Sequence, residues 1–334
     1  MSIATPLTRL LDIEHPVMLA PMGGVAGGAL AGAVSNAGGF GFIGSGYADP
    51  AMGYGDDWLE AQFAAAGNAR IGVGFITWSL ARRPRALDAA LAHGPRAVFL
   101  SFGDASRFAA PVKAAGAKLV MQVQTVAAAR AAADLGADII VAQGGEAGGH
   151  GHVRSTLPLV PAVVDAVAPL PVVAAGGIAD GRGLAAALML GATGALIGTG
   201  FYAAREALAH PAAKARLVET SGDQTRRGRS VDSVRGLTWP ADWSIRTLEN
   251  DFTARWSDDD EGLQAALPAE ADRYGAAAAR GDFDTAIVIA GEAADLVREE
   301  APAAAILARI TGEAEALLAG TPGLLDRTRG QAAR

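Results

Sequence analysis

The feature that most constrains this chain is an alternation that recurs until about residue 205: short apolar runs of β type, each followed by an Ala- and Leu-rich stretch of helical character. The runs are Val17–Ala20, Phe40–Gly44, Ile71–Ile76, Ala97–Ser101, Lys118–Val123, Ile139–Ala142, Pro171–Ala175 and Ala195–Gly198. Strands that are apolar at nearly every position belong to a parallel sheet covered on both faces, and single helices between them are the crossovers such a sheet requires. Eight such units predict an α/β fold that closes into a (β/α)8 TIM barrel, with the active site on the loops after the strands. An open doubly wound sheet is the alternative, but the order shows no reversal. After residue 205 the alternation fades into a polar, Trp- and Arg-containing stretch, QTRRGRSVDSVRGLTWPADW, and then into segments read as helix at 247–256, 262–279, 283–289 and 301–318. The expected division is a barrel over 1–215 and a mainly helical C-terminal segment, 216–334, that could cap the barrel mouth.

Within this frame one loop stands out. Gln143 to His152 (QGGEAGGHGH) follows an apolar run, and five of its ten residues are glycine. Long glycine-rich loops directly after buried strands carry function more often than not. Gly176-Gly177 follows the seventh run and Gly198-Thr199-Gly200 the eighth. In a barrel those two loops converge, so their main-chain N–H groups and the Thr199 hydroxyl are expected to hold a phosphate monoester. The first strand ends Ala20-Pro21-Met22, where Met22 offers a polarisable contact for a ring system. Gln122 and Gln143 end strands five and six, as polar contacts for a heterocycle or as amides satisfied at the rim. For His150 and His152 three readings stand: acid/base or hydrogen-bond chemistry by an imidazole near neutrality, a metal site with Glu146 serving a hydrolase, or one acting histidine and one solvated. The third is favoured. His15, His93 and His210 are expected to be structural, and Trp78 to line the mouth or to pack.

Composition narrows the partners. With a net charge of −7 and basic residues scattered apart from Arg226, Arg227 and Arg229, nucleic acid is not the expected partner. There is no cysteine, which excludes disulfides and thiolate catalysis. The N-terminus has no basic-then-apolar signal, and no apolar run reaches membrane-spanning length, so a cytoplasmic protein without membrane contact is expected.

The stretches VMLAPMGG, QGGEAGGHGH, AAGGIADGRGLAAALMLGATGALIGTGF and GEAADLVREEAPAAAIL together resemble the nitronate monooxygenases, formerly called 2-nitropropane dioxygenases. The resemblance covers nearly the whole chain and extends to the wider group of FMN-binding barrels that includes flavin-dependent enoyl-acyl-carrier-protein reductases. It implies a barrel with FMN at its mouth that oxidises alkyl nitronates, such as propionate 3-nitronate, with O2 to a carbonyl compound and nitrite. It makes His150 the catalytic histidine and sets Ala147, Gly148 and Gly149 along the flavin. Gly176, Gly177, Gly198 and Thr199 would hold its phosphate, Ala20, Pro21 and Met22 would flank the ring, and Gln122 and Gln143 would meet its polar edge. The partners implied are a small anionic nitronate or nitroalkane and O2, with a homodimer left open. The alternative within the group is an NAD(P)H-dependent FMN oxidoreductase. The chain departs from the usual pattern at Gly74, where Asn is frequent, at Gln122, where a basic residue is, and at Gly151 and His152.

Overall fold

A computed structural model describes residues 2–320, and the last part of the expected C-terminal segment, 321–334, lies outside the described residues. All eight expected strands form: Val17–Leu19, Phe42–Gly44, Gly72–Ile76, Ala97–Ser101, Lys118–Val123, Ile139–Gln143, Val172–Ala175 and Gly194–Ile197. They pair in parallel in one eight-stranded sheet whose first and second strands lie at its two edges. Those edges meet through a parallel bridge between Met18 and Phe40, with Leu19 N donating to Phe40 O at 2.9 Å and Phe40 N to Val17 O at 3.0 Å. The ring is thereby closed.

The strands are apolar throughout because both faces are buried, yet their side chains still alternate. Met18, Phe42, Phe99, Val120, Val141, Val173 and Leu196 point into the barrel, where Phe42 meets Phe40 and Phe99 edge-on at 5.0 and 5.4 Å. Their neighbours Val17, Ile43, Val98, Leu119, Ile140, Val172 and Ala195 pack outward under the helices. One end of the barrel is plugged by an unexpected six-residue helix, Pro6–Leu11, capped by Thr5. Its Leu7 and Leu11 join the interior cluster, and the Thr5 hydroxyl donates to Thr193 O at 2.7 Å. Gly194 allows this fit: a Cβ there would lie 2.5 Å from Leu7 Cδ2. The opposite end, where the strands' C-termini emerge, is left for other use.

Helices connect the strands as the alternation requires. Asp180 caps Gly181–Met189, accepting from Gly183 N at 3.1 Å. Helix Asp56–Ala66 starts after Gly55 and carries Asp56 and Asp57 in its first turn, where carboxylates suit the helix dipole. The last helix, Ala303–Gly320, belongs with the barrel's outer ring. Its Ile306, Leu307 and Ile310 enter the main core, and Glu313 accepts from Gly181 N at 2.9 Å. Ala204 bridges Ala301, so residues between them form an excursion that leaves the barrel after the eighth strand and returns for the eighth helix.

The excursion is less helical than expected. The polar stretch after Ser221 contains a strand, Thr225–Gly228, and a short helix, Ser230–Val234; a second strand, Ser244–Leu248, takes the first two residues of the expected helix at 247–256. The two strands pair antiparallel with each other, and Ser244–Leu248 pairs antiparallel on its other side with Gly149–Gly151, so part of the supposed open loop is itself a strand. No helix forms over 283–289, for a reason visible in the hydrogen bonds. Carbonyls that such a helix would need instead accept from Asp251 N (Asp284 O, 3.0 Å), Asn250 Nδ2 (Thr285 O and Ala286 O) and Leu248 N (Val288 O, 2.9 Å). Val231, Ile245, Phe252, Trp256, Leu263 and Tyr274 give the excursion a small core of its own.

Candidate active site

At the open end of the barrel lies a cavity walled by the loops after the strands and by the excursion. Every residue that the resemblance assigns to a site lines it: Ala20, Pro21, Met22, Gln122, Gln143, Ala147, Gly148, Gly149, His150, Gly176, Gly177, Gly198 and Thr199. Gly176 and Gly177 have φ of +101° and +74°, conformations that side chains disfavour. A Cβ on Gly176 would stand 3.0 Å from Gly144 O and 3.1 Å from Ala147 N. Among the described residues, the main-chain N–H groups of Gly176, Gly177, Gly198 and Thr199 have no hydrogen-bond partner. Gly74 lines the wall because Pro21 fills the space beside it, a Cβ there falling 2.3 Å from Pro21 Cβ.

The glycines of the 143–152 loop serve a second purpose, which is close packing of backbone on backbone. A Cβ on Gly148 would come within 2.5 Å of Ala290 C, and one on Gly291 within 2.4 Å of Glu146 O. Glu292 N donates to Glu146 O at 2.9 Å, and Gly291 N to Thr199 Oγ1 at 3.0 Å, so the returning chain is fastened to two site loops. Arg227 holds the same loop from behind. Its guanidinium donates to the carbonyls of Gly145, Ala147, Gly149, Gly151 and Ser244 at 2.5 to 3.4 Å. Burial and the neighbouring Arg246 push its pKa down to about 10, which still leaves it charged at neutral pH. Arg246 adds a bond to Gly145 O at 3.1 Å and pairs with Glu292 at 2.7 Å.

The amides at strands five and six form a network. Gln143 Oε1 accepts from Gln122 Nε2 at 3.1 Å and Gln124 Nε2 at 2.8 Å, and Gln143 Nε2 donates to His150 O at 3.1 Å. Gln143 therefore positions the histidine's backbone, and Gln122 keeps its carbonyl for the cavity.

His150 is buried, and its ring is fixed on two sides by residues whose roles the sequence did not reveal. Nε2 lies 2.9 and 3.0 Å from the two carboxylate oxygens of Asp232, which is itself buried. Trp239 stacks on the imidazole, with ring centres 3.4 Å apart and planes within 8°, and donates its own Nε1–H to Tyr47 Oη at 2.9 Å. Burial pushes the His150 pKa below its ordinary 6.5, and Asp232 pulls against that shift. Arg235, one turn beyond Asp232, is the one formally charged side chain on the cavity wall among the described residues. It has no hydrogen bond or ion pair among them. Its field holds down Tyr47 and Tyr54, whose pKa values burial raises. Sequence reasoning passed over Asp232, Arg235 and Trp239 because the stretch carrying them has no hydrophobic period. Its one signal was the co-occurrence of Arg, Asp and Trp in a supposed linker.

The metal reading loses its ligands to other work. Glu146 accepts from Thr156 N at 2.9 and 3.0 Å and from Thr156 Oγ1 at 2.9 Å, capping the next helix. His150 is held by Asp232, while His152 meets Trp243 edge-on at 6.5 Å. Among the described residues no group of three or more His, Cys, Asp or Glu is placed to hold a metal ion. Nor is any described helix long and apolar enough to cross a membrane.

Comparison with known proteins agrees with this geometry. A family profile described as nitronate monooxygenase matches residues 4–72 and 78–313. The chain is 35% identical to the nitronate monooxygenase npaC of Metarhizium robertsii, covering 90% of this chain and 91% of that one. It is 38% identical over 240 residues to a hydroxy-methyl-oxo-octahydroindene-carboxyl-CoA dehydrogenase of Mycobacterium tuberculosis, matching 70% of this chain and 65% of that protein's length. Among solved structures it is similar to FabK from Thermotoga maritima (TM-score 0.82, 28% identity, 97% and 100% of the two chains). It is also similar to nitroalkane oxidase from Streptomyces ansochromogenes (TM-score 0.76, 27% identity, 94% and 99%). On the strength of a profile that spans most of its length and a relative matched almost end to end, the chain belongs to the nitronate monooxygenase family of oxidoreductases.

Proposed function

We propose that this chain binds FMN at the barrel mouth and oxidises alkyl nitronates with O2 to a carbonyl compound and nitrite. The observation that carries the reading is the convergence, in one cavity, of unpartnered main-chain N–H groups with a buried imidazole and an unpaired guanidinium. The first of these suits a phosphate monoester. The other two suit a small anion.

The residues present fit the nucleotide. Gly176, Gly177, Gly198 and Thr199 would hold the phosphate, with no Cβ in the way where φ is positive. Ala20, Pro21 and Met22 would flank the ring on one side and Ala147, Gly148 and Gly149 on another, with Gln122 and Gln143 at its polar edge. When bound, the flavin supplies the electron acceptor for the nitronate carbon and the route from there to O2. The protein's own part is position and charge. Arg235 attracts the nitronate into an otherwise uncharged pocket, and His150 either donates to a nitro oxygen when protonated or, when neutral, takes the proton of a nitroalkane. Trp239, Phe102 and Tyr47 wall the substrate off from water, Trp239 meeting Phe102 edge-on at 5.2 Å.

The test is whether purified protein is yellow, releases FMN on denaturation and consumes O2 with an alkyl nitronate. A colourless protein that cannot be reconstituted with FMN rules the proposal out. Similarity to FabK and to a CoA dehydrogenase favours a second reading, an NAD(P)H-dependent FMN oxidoreductase. Anaerobic bleaching by NADH or NADPH, rather than by nitronate, would select it.

A further inference from the structure

We infer that Asp232 is a positioning residue that fixes the tautomer of His150, holding the ring with Nε2 towards the carboxylate and Nδ1 free for the substrate. The inference rests on the proposed function, in which His150 is the base for a nitroalkane or the donor to a nitronate, and adds the residue that orients it.

The argument begins with a carboxylate that has one partner. Asp232 is buried, and among the described residues His150 Nε2 is the only hydrogen-bond partner of its carboxylate, at 2.9 and 3.0 Å from the two oxygens. An ionised carboxylate only accepts, so Nε2 must carry the proton. In the neutral ring the lone pair is then on Nδ1, which has no partner among the described residues, and His150 lines the cavity. Stacking on Trp239 prevents the ring from turning over to exchange its nitrogens.

Such a ring can accept a proton at Nδ1 but cannot donate one there. With a neutral nitroalkane the α C–H bond breaks, an N–H bond forms at Nδ1, and the electron pair remains on the substrate as the nitronate. The imidazolium so formed faces Asp232, and the new anion faces Arg235, so both charges arise next to a compensating one. A nitronate supplied ready-made lacks that proton, and the neutral ring would present a lone pair to an anion. Nitronate binding therefore draws a proton onto His150, whereas nitroalkane oxidation requires the ring to start without one.

Two opposed pH limbs follow. The charged groups whose fields reach His150 are Asp232, Arg235 and Arg227. With FMN-loaded protein, kcat/KM for nitroethane, measured before it ionises in solution, should fall as pH drops through the His150 pKa. The kcat/KM for ethylnitronate should fall as pH rises through the same value. Asp232→Asn, whose amide can accept or donate, should lower kcat/KM for nitroethane about 100-fold more than for ethylnitronate and shift the nitroethane limb to lower pH. Asp232→Glu should restore part of the ratio. Equal losses on both substrates, or parallel limbs, would overturn the assignment, as would wild-type protein that oxidises ethylnitronate but not nitroethane. Should Asp232→Asn fail to fold, 15N NMR of the His150 ring in wild-type protein decides independently. A neutral ring protonated at Nε2 is expected, and protonation at Nδ1 contradicts the inference. If neither substrate is oxidised, the proposed function fails, and the NMR result still judges the pairing of Asp232 with His150.

Discussion

The loops after the seventh and eighth strands bring main-chain N–H groups to the cavity, at Gly176, Gly177, Gly198 and Thr199, whereas the excursion brings the side chains of Arg235 and Trp239, with Asp232 behind His150. The two regions also differ in how they are held. The barrel glycines sit on loops between strands and helices of a closed sheet, in conformations fixed by neighbouring backbone. The excursion is tied to the site by a strand added to Gly149–Gly151 and by one guanidinium bonded to carbonyls. The function proposed above then assigns the cofactor to the barrel loops and the substrate's charge and proton to the excursion.

That division can be broken by substitutions that should affect one function and spare the other. The largest effect is expected from His150→Asn, where kcat/KM for nitronate or nitroalkane should fall by about 10²- to 10⁴-fold while FMN content, read from the visible spectrum, is kept. Loss of FMN together with turnover would mean that the two regions are not separable. Next, Gly176→Val should weaken FMN binding roughly 10- to 100-fold, the cost of forcing a branched residue to φ near +101°. Fluorescence titration of apoprotein measures it, and undiminished affinity would take the phosphate away from this loop. Arg235→Met should raise KM for ethylnitronate about 10-fold with little change in kcat, the loss of one charge-assisted contact. A fall in kcat instead would place the guanidinium in the chemistry.

The smallest effect concerns stability. Since burial holds the His150 pKa below 6.5, the unfolded chain binds a proton that the folded one does not as pH falls from 6.5 towards the folded value. Stability from this group is present above pH 6.5 and is lost on acidification. Thermal melts at pH 7 and pH 5 should therefore differ less in His150→Asn than in wild type.

The same contrast explains what the sequence made legible. Barrel strands betray themselves by local composition, because each must be apolar on both faces, and the loops after them carry their glycines in sequence order. The residues expected on those loops could therefore be named in advance, and the structure brings them to one cavity. The excursion works through pairs that no local pattern encodes. Asp232 meets His150 82 positions away, and Arg227 binds carbonyls of a loop it follows by some 80. Residues 283–289 look helical in composition, but Leu248, Asn250 and Asp251 compete for their carbonyls, and only the tertiary structure reveals the competition. The plug helix Pro6–Leu11 was missed because six residues are too few for a period to show.

The most direct measurement is the visible absorption of the purified protein, recorded anaerobically before and after adding ethylnitronate. The account predicts a flavin spectrum that bleaches with nitronate, without NADH or NADPH, and recovers when O2 is admitted. A flavin spectrum that nitronate leaves unchanged and NAD(P)H bleaches would contradict it.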